Sequence, residues 1–126
     1  MDANEYQKLA SRTESPIRPI HNSAIADRLV HVCLGLLTES GEFADTVKRF
    51  TFYGQAFDEI TAKEELGDLL WYVALACNAM GLELSNVMQV NIDKLRNRFP
   101  QNFTAEDALE ASRDRPAERN IVKGCD

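Results

Sequence analysis

Residues 63–80 read KEELGDLLWYVALACNAM, and the helical phase of that run decides the fold. At the ~100° per residue of an α-helix, Leu66, Leu69, Leu70, Val73 and Cys77 form one apolar stripe. Glu65, Asp68 and Tyr72 share the edge beside it. Apolar residues spill over more than one face, which predicts contacts beyond a single helix layer. Thr61 with Glu64 reads as a capping box that opens this helix near residue 62, and Gly81 closes it after residue 80.

The run before it repeats the arrangement. Ser23 is a good N-cap and Gly54 a good stop, so a long helix is expected over about 23–52. Its apolar arc holds Ile25, Leu29, Val32, Cys33, Leu36, Leu37, Phe43, Ala44, Val47 and Phe50. Along one edge lie Arg28, His31, Gly35, Glu39, Glu42, Thr46 and Arg49. Glu39 and Glu42 are three apart, so they leave the same face as neighbours.

Further outward, Ala3 to Arg12 reads as a short first helix, and Glu14 to Asn22, with Pro16 and Pro19, as an extended connection. Ser85 caps a helix over about 85–99 that ends before Pro100, and Thr104 with Asp107 opens a short fifth helix to about Ser112. No strand alternation or internal repeat is present. The expectation is an all-α, four-helix-bundle-type domain over 1–112, with 113–126 a polar, aperiodic tail.

Composition narrows the function. In 126 residues, 44% hydrophobic and 27% charged is a soluble globular balance, and no apolar run nears the ~20 residues of a membrane span. MDANEYQKLASRTESP lacks the basic and apolar regions of a secretory signal. Three cysteines without metal-type spacing argue against a disulfide framework and suit a reducing cytoplasm. Cys33 and Cys77 read as small core residues, and Cys125 falls in the tail. A net charge of −6 disfavours a nucleic-acid polymer as partner.

The two acidic pairs flank faces that must pack together. Antiparallel packing would set Glu39 and Glu42 against Glu65 and Asp68, and four crowded carboxylates raise one another's pKa unless cations neutralise them. One E-x-x-E pair on a helix is far more often solvated surface. Two pairs, each hugging an apolar stripe, point to a metal site. An all-oxygen donor set suits Mg²⁺, with Mn²⁺ the alternative, and the second pair lacks the histidine of a Glu-x-x-His di-iron design. Gly41 and Gly67 sit inside the acidic pairs, where a missing side chain leaves room for close approach.

These residues resemble the MazG-type all-α nucleoside triphosphate pyrophosphohydrolases, whose signature is E-x-x-E, a gap, then E-x-x-D. Here it reads LGLLTESGEFAD at 34–45 and KEELGDLLWYVA at 63–74. NIDKLRNRFPQNF at 91–103 is similar to the family's Asn, Lys and Arg positions before a Pro and a Phe, and NEYQKLA resembles the small stand-alone bacterial and phage members.

The resemblance implies Mg²⁺-dependent hydrolysis of a nucleoside or deoxynucleoside triphosphate to the monophosphate and pyrophosphate. It makes Glu39, Glu42, Glu65 and Asp68 the metal ligands; the chemistry also needs a group to take the water's proton, for which Glu39 and Glu65 are the candidates. It gives Lys94 and Arg98 to the phosphates, and Asn91 and Tyr72 to the sugar or base. Some relatives carry a lysine just ahead of the second pair, where this chain has Thr61, Ala62 and Lys63. A homo-oligomer, dimer or tetramer, is implied, in the cytoplasm (the host's, if phage-encoded). The rival readings are a sister enzyme for dUTP, dCTP or phosphoribosyl-ATP and a helical nucleotide- or partner-binding protein without catalysis. Lys48 and Arg49 read as complements of the long helix's C-terminal dipole, His31 as a hydrogen-bonded, partly buried residue, and Phe52 and Tyr53 as base-pocket or loop-edge residues.

Overall fold

In a computed structural model the described residues are 1–16, 20 and 23–124. Part of the expected Glu14–Asn22 connection, and Cys125, lie outside them. Five α-helices follow in order: α1 (Ala3–Ala10), α2 (Ala24–Tyr53), α3 (Glu59–Met80), α4 (Leu84–Arg98) and α5 (Arg115–Lys123). No strand occurs among the described residues, so the all-α expectation holds. The chain divides into two compact units, Met1–Leu82 and Glu83–Asp126.

In the first unit Ser23 caps α2, and Gly54 and Gly81 close α2 and α3 at φ 66° and 69°, where a Cβ would be strained. α3 starts earlier than expected. Asp58, not Thr61, is its cap, and accepts from both the Thr61 backbone N–H (3.0 Å) and hydroxyl (2.9 Å). Only residues 54–58 join α2 to α3. The facing pairs Gly35 with Tyr72, and Glu42 with Glu65, run in opposite senses along the two helices, so they are antiparallel.

α1 is fastened to α3 by side chains. Gln7 Nε2 donates to Asn78 Oδ1 and Leu82 O, both at 2.8 Å, and Asn78 Nδ2 returns a bond to Gln7 O. Trp71 Nε1 donates to Thr13 Oγ1 (2.8 Å) and Ala10 O (3.1 Å), so the indole clamps the 3₁₀ turn Ser11–Thr13. Glu14 takes both Nε and Nη2 of Arg28, tying the following segment to α2.

The buried seam differs from the apolar arc. On α2 the buried positions are Asp27, Val32, Gly35 and Thr46; on α3 they are Ala62, Glu65, Ala74, Leu75 and Cys77. Leu37, Val47, Phe50, Leu66 and Leu70, all in the expected stripes, are exposed, Leu37 by 71%. Cys33 is exposed as well, against its expected core place. Small residues let helix axes approach most closely, so the seam follows the glycine–alanine flank and carries the acidic edge inward. Large apolar side chains are left outside.

In the second unit Thr104 accepts from Asp107 N (3.0 Å), but the chain turns instead of forming the expected fifth helix, with only a 3₁₀ turn at Glu110–Ser112. Arg98 fixes that turn by donating to Asp107 O and Ala108 O. The true fifth helix lies in the stretch read as an aperiodic tail. Asp114 caps it by accepting from Ala117 N (3.0 Å), and Pro116 suits its first turn. Short length and a mean polarity that masks its one buried face hid it from periodicity. No helix among the described residues is long and apolar enough to cross a membrane.

Candidate metal and nucleotide site

Glu39, Glu42 and Glu65 each offer a carboxylate oxygen, and the three oxygens lie within 4.8 Å of one another. Two come from one turn of α2 and the third from the facing turn of α3. Glu65 is buried at 7% exposure. Burial first, then the Glu42 charge, a hydrogen bond to Glu39 and the charges of Glu39 and Asp68, raise its pKa above the ordinary carboxylate range. A carboxyl–carboxylate hydrogen bond requires a proton between the two groups, and the raised pKa of Glu65 makes it the group that carries it. Asp68, one turn on, is exposed and stands outside the trio, yet its charge raises Glu65, Tyr72 and Tyr6.

Tyr72 is seated by Gly35. A Cβ built on Gly35 would stand 2.0 Å from the Tyr72 Cζ, so only glycine admits the ring there. Its ring meets those of His31 (5.5 Å between centroids) and Trp71 (4.8 Å) edge to face. Burial, then Glu39 and Asp68, raise the Tyr72 hydroxyl's pKa, keeping it a neutral donor. His31 Nδ1 is buried with no hydrogen-bond partner among the described residues, unlike the bonded histidine expected. Gly41 and Gly67, where close approach was expected, face open space. The required glycine is Gly35, six residues before Gly41.

A concavity of about 330 Å³ adjoins the trio, lined by Glu42, Asp45, Thr46, Arg49, Gln55, Ala56, Asp58, Thr61 and Glu65. Sequence reasoning missed Asp45, Thr46, Gln55 and Thr61 as lining residues. Asp45 and Thr46 continue the Glu39–Glu42 face at helical spacing, a signal present in the sequence; Gln55 depends on how the loop folds. Asp45 binds Lys48 and Arg49 Nε (2.6 Å), and those bonds lower its pKa. Arg49 edges the concavity, and neither it nor Lys48 complements the C-terminal dipole as expected, because α2 runs on to Tyr53 and its last turn holds no basic residue. Phe52 and Tyr53 are exposed and do not line it. Lys63 pairs with Glu59 (2.7 Å) on the surface.

The other expected substrate residues lie on α4 in the second unit. Asn91 is exposed, Lys94 half-buried, and Arg98 is engaged by the backbone carbonyls of its own turn.

Residues 29–103, more than half of the chain, match the family described as the MazG nucleotide pyrophosphohydrolase domain. A Mycobacterium phage L5 protein described as Gene 37 protein is 38% identical over 76 residues, which cover 56% of this chain and 65% of that one. The match therefore spans less than two thirds of that relative's length. No solved structure matches. α5 lies beyond the family match.

Proposed function

The chain belongs to the MazG nucleotide pyrophosphohydrolase family, and from that premise we propose that it hydrolyses nucleoside or deoxynucleoside triphosphates to the monophosphate and pyrophosphate. Glu39, Glu42, Glu65 and Asp68 would hold Mg²⁺ or Mn²⁺. The observation that carries this reading is the trio of carboxylate oxygens within 4.8 Å beside a concavity of about 330 Å³. The donor set fits such an ion. It is all oxygen, and it includes a buried glutamate that is costly to ionise among like charges. When bound, the ion supplies positive charge that acidifies water and offsets the charge on phosphate oxygens.

The chain's own groups do the rest. Glu39 or Glu65, the latter with a proton affinity raised by burial and by the Glu42 charge, accepts the proton of the attacking water. The water oxygen bonds to the α-phosphorus as the bond to the bridging oxygen breaks, and pyrophosphate leaves with that electron pair. By family resemblance, Tyr72, seated against Gly35, and separately Asn91 are the candidates for the sugar or base, and Lys94 and Arg98 those for the phosphates.

The exposed apolar side chains of α2 and α3 support a homo-oligomer. Leu34, Leu37, Leu66, Leu70 and Phe50 are roughly half or more exposed in the single chain, and covering what remains of each contributes about 1–2 kcal/mol. The exposed free thiol of Cys33 suits a reducing, cytoplasmic setting.

The test is a panel of ribo- and deoxynucleoside triphosphates with Mg²⁺, assayed for pyrophosphate and monophosphate. Release of both from at least one substrate is expected. Tight nucleotide binding without release from any would instead support a non-catalytic binding protein.

A further inference from the structure

The second unit carries a concavity of about 360 Å³, lined by Lys94 of α4 and by Arg113, Arg115, Glu118, Arg119 and Val122 at and along α5. Four cations face one lining carboxylate. Glu118 is spent on Arg113, which grips both its oxygens, and Glu110 is spent on Arg115 (2.7 and 2.8 Å) and Arg113. Lys94 and Arg119 have no carboxylate within ion-pair distance among the described residues. Arg115 and Arg119 are four apart, so they project from the same face of α5. Two carboxylates against four cations leave the pocket with a surplus of two positive charges. The two unpaired cations come from different helices.

We propose that this concavity is a binding site for a polyvalent phosphate anion, pyrophosphate or the polyphosphate of a nucleotide, gripped between Lys94 and Arg119. A monovalent carboxylate leaves one of the two cations unmatched; a linked pair of phosphoryl groups matches both. A guanidinium fork also suits tetrahedral phosphate oxygens, with bonds stronger than neutral ones. Choosing pyrophosphate rests on the pyrophosphohydrolase reading; the anion site itself does not. α5, outside the family match, thereby becomes part of how this chain handles phosphate.

Isothermal titration of the full chain with pyrophosphate in EDTA tests this, since chelation keeps the acidic trio from recruiting the ligand through a cation. Saturable, salt-sensitive binding is expected, tighter for pyrophosphate than for orthophosphate. Arg119→Gln and Lys94→Gln should each weaken it about tenfold, the scale of one charge-assisted hydrogen bond. Circular dichroism of both variants confirms their helix content, and Val122→Glu, which puts a negative charge on the same wall, should abolish binding by repulsion. No binding to the wild type, or binding unchanged in all three variants, overturns the proposal. Pyrophosphate release in the Mg²⁺ assay is a separate readout, so either idea can fail alone.

Discussion

Glu65 and Glu118 are equally buried, at 7% and 5% exposure, and titrate in opposite directions. Glu65 sits among carboxylates and is raised by burial and Glu42; Glu118 is held by two bonds from Arg113 and is lowered by them. Burial alone therefore does not set the direction in which a carboxylate titrates; its neighbours do. The second unit pairs its buried glutamate and gains α5's attachment, whereas the first unit leaves three acids facing one another, an arrangement that self-association of the fold does not require and a cation would relieve.

The largest effect expected follows from that asymmetry. Glu42→Gln or Asp68→Asn should cut pyrophosphate release by about a thousandfold or more, the scale of losing several kcal/mol of charge stabilisation, with circular dichroism unchanged. Near-normal turnover in either variant would show that the acidic cluster is not the reaction centre. Next is Gly35→Ala, whose added methyl collides with the Tyr72 ring. It should cost about 3 kcal/mol in denaturant unfolding, as overpacking against a fixed ring does. A loss below about 0.5 kcal/mol would mean that the ring moves aside freely.

The pH responses should run opposite ways. For Glu118, a lowered pKa means stabilisation present above the unfolded pKa and lost as pH falls through the folded one. Protection factors along α5, which divide out the intrinsic pH dependence of amide exchange, should therefore fall as pH drops below the ordinary carboxylate range, and in Glu118→Gln they should be low at every pH. For Glu65, a raised pKa means stability greatest below the unfolded value and lost as pH rises through the folded one. In EDTA, Glu65→Gln should melt higher than wild type at pH 8 and no higher near pH 4. A wild-type melting point that rises with pH while the variant's does not would reverse that assignment.

Much of unit one was legible because it obeys simple rules. Ser23, Gly54 and Gly81 bound α2 and α3 where caps and left-handed glycines belong, and three-residue spacing put Glu39 beside Glu42. What periodicity could not decide was which flank of a broad apolar arc packs inside. That choice depends on Gly35 and Ala62 letting the backbones approach, a property of both helices together. The same limit hid the trio's membership: three of the four acids meet while Asp68 stands off, a matter of side-chain placement. In unit two, α5 is too short and polar to announce itself, and only Asp114 with Pro116 hints at it.

The central claim is that the crowded acids of α2 and α3 are a divalent-cation site. Titrating the wild-type chain and Glu42→Gln with Mn²⁺, followed by calorimetry, addresses it directly. Saturable binding to the wild type that weakens at least about tenfold in the variant is the predicted result. Equal affinity in both, or no binding to either, would contradict it.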